Sequence, residues 1–260
     1  MFKWTLFRRI AASNRKMFLI ITTVLCVLVA VIMNVFKPET MAKMAQVNQD
    51  AAINPLGDIS TLLAFLANQY FGMFALILGI IYVVITGNKL VAAQVDRGSM
   101  GYHLATPTSR LEVTGTSTIY LLGSLAFMLA CQFGVGCAAA AVAQPGELDV
   151  ATYFNLTVGF YLLMVALSGI VFAASCLFNR SSYAVAAGAG VLIFFFVTDL
   201  LSGMSSSLSS LKNVTLITLY DSIAIVNGGS FAAGLIPLTT LGLICYAAGI
   251  VTFQWKDLPL

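Results

Sequence analysis

An all-α, polytopic membrane protein with six transmembrane helices is the fold class this sequence predicts, and three observations predict it. Hydrophobic residues make up 60% of the 260-residue chain and charged ones only 9%, with a mean hydropathy of +0.96, far from the usage of soluble domains. Apolar runs of about 20 residues recur, each long enough at ~1.5 Å per residue to cross roughly 30 Å of hydrocarbon. The alternating short strands of a membrane barrel are absent. Lipid offers no partners to bare backbone N–H and C=O groups, so such runs are read as helices.

The first element is amphipathic. Residues 1–16 mix Phe2, Trp4, Leu6, Phe7 and Ile10 with Lys3, Arg8, Arg9, Arg15 and Lys16, a composition suited to an interfacial helix with its aromatics sunk toward the acyl chains. The alternative, a signal-peptide basic region, is disfavoured because the apolar run that follows, 17–36, is about 20 residues long and lacks a small-residue cleavage site. That run is the first span. Residues 37–68 are polar and broken by Pro38, Pro55 and Gly57, and read as an external loop with a short helix over 39–52.

The remaining spans are expected at 70–93, 113–142, 153–178, 183–203 and 231–253, all within one membrane domain over 1–260. Asn88 and Lys89 mark the interface at the end of the second, where a lysine snorkels. The fourth and fifth are separated only by a tight connection at Asn179 and Arg180 and form an antiparallel hairpin. Ala184 and Gly188, and likewise Ala186 and Gly190, stand at small-xxx-small spacing, for packing on a neighbouring helix or on a second copy of the chain. Residues 205–230 are neither clearly apolar nor clearly soluble and fit an external re-entrant segment before the sixth span.

With six spans, positive residues assign the sides. Lys3, Arg8, Arg9, Arg15, Lys16, Lys89, Arg97, Arg110, Arg180 and Lys256 share one side, against Lys37, Lys43 and Lys212 on the other. Both termini and the connection between the second and third spans are therefore expected in the cytoplasm. The net charge of +3 gives no reason to expect nucleic acid. All five cysteines lie in apolar runs, which suggests packing rather than disulfides or metal ligands.

The connection at 96–110, DRGSMGYHLATPTSR, is the chemically particular stretch. Gly98 and Gly101 permit sharp backbone, and Pro107 pushes Thr106 toward extended conformations, leaving a short helix over 99–105. Ser109 and Glu112 have capping-box spacing just before the third span. Met100 and Leu104, four residues apart, would present apolar knobs to a partner groove. From spacing alone, a docking helix and a solvated loop both remain open. His103, the single histidine, reads as a polar residue of this stretch rather than a proton or metal site.

The run D-R-G-S-M-x-Y-x-L-x-T-P-x-S-R over 96–110 resembles the signature between the second and third spans of ABC transporter type-2 permeases. Phe253, Lys256, Asp257 and Leu258 resemble that family's F-x-x-K/R-D-L ending. Gly101 departs from the pattern, since many relatives carry a bulkier or acidic residue there. The resemblance implies the membrane subunit of a bacterial ABC exporter in the cell membrane, working with a second permease copy or a related permease. Residues 99–105 would be a cytoplasmic coupling helix docking a separate ATP-binding subunit, through Asp96, Arg97, Gly98, Ser99, Met100, Tyr102, His103, Leu104, Pro107 and Arg110. No G-x-x-x-x-G-K-S/T phosphate loop occurs. The chain is accordingly expected to be no enzyme and to carry no cofactor, with ATP and magnesium on the partner subunit.

Asp199 is the one acid inside an apolar span. Intramembrane carboxylates mark substrate or ion paths, so it is a candidate cargo-pathway residue, although its place near the external end of the fifth span also lets it reach water. Two other classes compete: a non-transporting sensor or accessory subunit, and an intramembrane enzyme. The last would need convergent ionisable groups within the membrane, and one histidine with a lone Asp199 does not supply a metal site or an obvious acid/base pair.

Overall fold

The computed structural model describes residues 3–36, 61–98, 109–146, 148–204, 214–228 and 232–256. The expected helix over 39–52, the coupling helix over 99–105, the serine-rich start of 205–230, and Asp257 and Leu258 lie outside the described residues.

Among the described residues there are no strands, and six helices are long and apolar enough to cross a membrane. In chain order the helices are α1 (Trp4–Val35), α2 (Leu62–Leu90), the short α3 (Ala92–Asp96), α4 (Arg110–Ala143), α5 (Val150–Leu177), α6 (Ser181–Met204), the short α7 (Ser222–Val226) and α8 (Ala232–Trp255).

No break separates the basic residues from the first span. α1 is continuous, so the aromatic and cationic turns expected along the interface are the beginning of the spanning helix itself. Its buried stripe, Ile10, Asn14, Ile21, Leu25, Val29 and Ile32, follows helical spacing and packs on α4 and α2, while Leu19, Ile20, Val27 and Val31 point outward.

α2 starts eight residues before the expected onset at Tyr70, inside what the sequence suggested was loop. Thr61 caps it, its Oγ1 accepting the Ala64 N–H at 3.1 Å. Residues Leu66–Phe74 then run as a π-helix before the α-helix resumes at Ala75, a local widening often found at functional sites. Asn68 and Gln69 made this stretch look polar in sequence. In the fold Tyr70 and Phe71 are buried, and the Tyr70 hydroxyl donates to Leu25 O at 3.2 Å.

α5 is the central helix, packed against α2, α4, α6, α7 and α8. Of its apolar window 67% is buried, against 22% for α6. Its closest approach is to α8. A Cβ on Gly169 would lie 2.9 Å from the backbone oxygen of Gly242, and one on Gly249 would lie 3.1 Å from Ala173 Cα. Glycine is required there because the two backbones nearly touch. The two small-residue pairs of α6 part company: Ala184 and Gly188 are buried, Gly188 against Val171 of α5, whereas Ala186 and Gly190 face outward.

The described part of the expected re-entrant segment is a 3-10 turn, Ile217–Leu219, followed by α7. It folds back on the first turns of α5. Tyr220 is buried, donates its hydroxyl to Leu156 O at 2.9 Å and lies over Gly159, where a Cβ would meet its ring at 2.8 Å.

Candidate functional site

Helix ends leave carbonyl and amide groups without partners inside the helix, and at the basic end of the bundle charged side chains from other helices fill these positions. Arg110, at the start of α4, donates through Nη1 to Gln254 O in the last turn of α8 at 3.2 Å and to Lys256 O just past its end at 2.6 Å. Lys256 in turn donates through Nζ to Cys176 O in the final turn of α5, at 3.0 Å. Cations at helix C-termini also meet the negative end of the dipole. Burial draws the Lys256 ammonium below the ordinary lysine range.

The start of α4 is closed by a reciprocal capping box, as the Ser109/Glu112 spacing suggested. Ser109 Oγ accepts the Glu112 N–H at 3.2 Å, and Glu112 Oε2 accepts the Ser109 N–H at 2.9 Å. The same carboxylate pairs with Lys3 of α1 at 3.1 Å. Lys89 of α2 donates to Ser13 O of α1 at 2.7 Å. Asn88 and Ser181 exchange side-chain hydrogen bonds at 2.8 and 3.1 Å.

The described flanks of the 96–110 connection join this lattice. Val91 (φ −129°, ψ −70°) interrupts the path from α2 into α3. Gly98, at φ +69°, takes the left-handed conformation that ends α3, its N–H donating to Val95 O at 3.0 Å. Asp96 accepts the Ser181 N–H on Oδ2 at 3.3 Å, at the first residue of α6. Asp96 and Arg110, both expected to flank a docking surface, therefore also hold neighbouring helices together. Arg97 is exposed. Ser99, Met100, Tyr102, His103, Leu104 and Pro107 lie outside the described residues.

Sequence reasoning did not anticipate the role of Lys256. Its place in the closing motif was the only signal, and the physical cause, the exposed C-terminus of α5, is visible only in three dimensions.

At the opposite end, Asp199 lines a cavity of about 330 Å³. The π-helical part of α2 forms one wall with Asn68, Phe71 and Gly72, and Tyr220 and Asp221 form another. The Asp221 carboxylate caps α7, its Oδ1 accepting the Ala224 N–H at 2.9 Å. Asp199 is thus gathered with a second acid and two aromatic rings from distant parts of the chain. Among the described residues, no three His, Cys, Asp or Glu side chains come together as metal ligands.

A bundle of six apolar helices, interlocked by polar contacts at one end and hollowed at the other, has the form of a multi-pass membrane permease. Over residues 10–254 the chain matches the family described as "Multidrug efflux system permease Rv1217c, C-terminal domain", and it belongs to that family. No curated protein matches it.

Proposed function

We propose that the chain is the membrane subunit of an ATP-driven ABC exporter. In this reading a separate ATP-binding subunit docks on the connection between α3 and α4, and hydrolysis there drives efflux through a pair of permeases, either two copies or this chain with a relative. The observation that carries the proposal is the lattice at the basic end. A force applied to the connection between Asp96 and Arg110 meets α6 through Ser181 and α8 through the Gln254 and Lys256 carbonyls, and α1 is tied to the same end through Lys3 and Glu112. A rigid end of this kind lets a local push move several helices as a body, as rocking between inward and outward states requires.

The family description, a multidrug efflux system permease, supports drug-like molecules as the cargo class. The cavity holding Asp199 is the candidate site on the cargo path, and the positive-residue distribution puts the lattice and both termini in the cytoplasm. The sequence motif places the docking knobs at Met100, Tyr102 and Leu104.

The test is reconstitution of the chain with the ATPase that co-purifies with it in mild detergent. Leu104→Glu places a charge in the expected docking contact. The expected result is loss of ATP-driven efflux, with membrane insertion and thermal stability unchanged. Efflux at the wild-type rate in this variant would refute docking at the connection.

A further inference from the structure

A cleft of about 190 Å³ lies at the basic end between the first turns of α1 and the junction of α2 with α3. We propose that it binds the phosphate group of an anionic phospholipid. Among the described residues three cations line it, Arg9, Lys89 and Arg97, and no acidic side chain does. Asp96, next to Arg97 in sequence, is engaged by the Ser181 amide instead. Arg9 and Arg97 are exposed and Lys89 is half-buried. Lys89 has three N–H donors, one of them held by Ser13 O. Guanidinium groups suit a phosphate because their planar donors bind its oxygens in pairs.

Depth decides between a lipid and a soluble anion. α1 has 32 residues, about 48 Å of helix against roughly 30 Å of hydrocarbon, so about a third of it projects beyond the acyl core. The projecting part is the basic N-terminal end, and Arg9, Ser13 and Asn14, which line the cleft, belong to it. The cleft therefore lies at headgroup level. Beside the polar Gln94, its remaining walls, Leu6, Ile10, Leu90 and Ala93, are apolar, suited to the glycerol and first methylenes of a lipid and of no use to a free phosphate. A single water needs only ~10–15 Å³ of such space, so the cleft has room for a headgroup. Basic pockets between membrane helices are a recurring form of lipid recognition. A lipid seated here would bridge α1 to the α2–α3 junction beside the coupling connection. The proposal is independent of ATP coupling.

The test uses the full chain in neutral detergent, with phosphatidylglycerol or phosphatidylcholine added to the micelles and thermal unfolding as the readout. A parallel arm replaces lipid by sodium phosphate at ionic strength matched with sodium chloride. At about 100-fold excess over its dissociation constant, phosphatidylglycerol is expected to raise the unfolding midpoint by about 8 °C more than phosphatidylcholine. The doubly substituted Arg9→Gln/Arg97→Gln chain is expected to lose at least half of that difference, and Arg9→Lys/Arg97→Lys to keep most of it. Native mass spectrometry should show retained phosphatidylglycerol falling in the same order. Equal midpoints in the two lipids would overturn the proposal. So would a phosphatidylglycerol effect that is the same in wild type and the Gln variant, since the binding would then lie elsewhere. If sodium phosphate reproduces the whole shift with the same dependence on the arginines, the ligand is a soluble phosphate and the lipid assignment fails.

Discussion

Gly169→Ala tests the α5–α8 crossing on which the basic-end lattice depends. The added methyl would lie 2.9 Å from Gly242 O and 3.1 Å from Cys245 Cβ, whereas carbon atoms pack best at roughly 3.5–4.0 Å. Both nearest groups sit on α8, and one is backbone, so no rotamer change relieves the contact and the helices must separate by about 0.5 Å. A gap of that size forfeits about a quarter of each contact's dispersion well, and overpacking of this kind costs ~1–3 kcal/mol. Replacing a helical glycine by alanine returns about 0.5–1 kcal/mol, so the net loss is centred on ~1 kcal/mol and the unfolding midpoint falls by about 3–4 °C. Gly190→Ala is the internal control, because its Cβ would meet nothing within 4 Å and only the favourable term applies. The assay is thermal unfolding of both variants in the same detergent. If Gly169→Ala is as stable as Gly190→Ala, the backbones of α5 and α8 do not approach as described, and the Lys256 to Cys176 contact loses its structural basis.

Two further outcomes follow from the hydrogen bonds. The buried Tyr82 hydroxyl donates to Ser124 Oγ at 2.7 Å, joining α2 to α4; a double-mutant cycle of Tyr82→Phe and Ser124→Ala should give a coupling of about 0.6 kcal/mol, typical of interhelical bonds in membranes, and zero coupling would exclude the bond. The Thr152 hydroxyl and then the Ala151 N–H hold the Asp149 carboxyl below its ordinary value of 3.8. A carboxylate lowered on folding contributes stability above the unfolded value and loses it as pH falls through the folded one. The wild-type midpoint should therefore drop more steeply than that of Asp149→Asn as pH is lowered from about 5 toward 3, by the modest amount an exposed cap allows, and parallel profiles would refute the role.

Much of the architecture was legible because each signal was local. Apolar runs gave six helices, and Ser109 and Glu112 declared a helix start three residues apart, as a capping box must. The onset of α2 was missed because Asn68 and Gln69 break the apolar run, and hydropathy carries no sign of a π-helix or of the Thr61 cap that begins the helix earlier. Asp199 stood out as a lone acid, but its neighbours did not: Phe71, Tyr220 and Asp221 are distant in sequence and meet only because the segment after α6 folds back onto α5. Arg110 and Asp96 were singled out by motif, and the contacts that also make them structural were invisible there, since both reach helix termini far away along the chain.

The sequence by itself determined that this chain lives in a membrane, how many times it crosses and which end is basic, because transfer into lipid and helix capping act on residues within one or two turns of each other. Only the tertiary structure decided which helix is central. α5 and α6 are equally apolar, yet one is largely buried and the other faces outward. Lipid and protein interior are alike in polarity, so burial in a membrane is settled by which backbones can approach, at Gly169, Gly242 and Gly249, and by which cations reach the open ends of neighbouring helices.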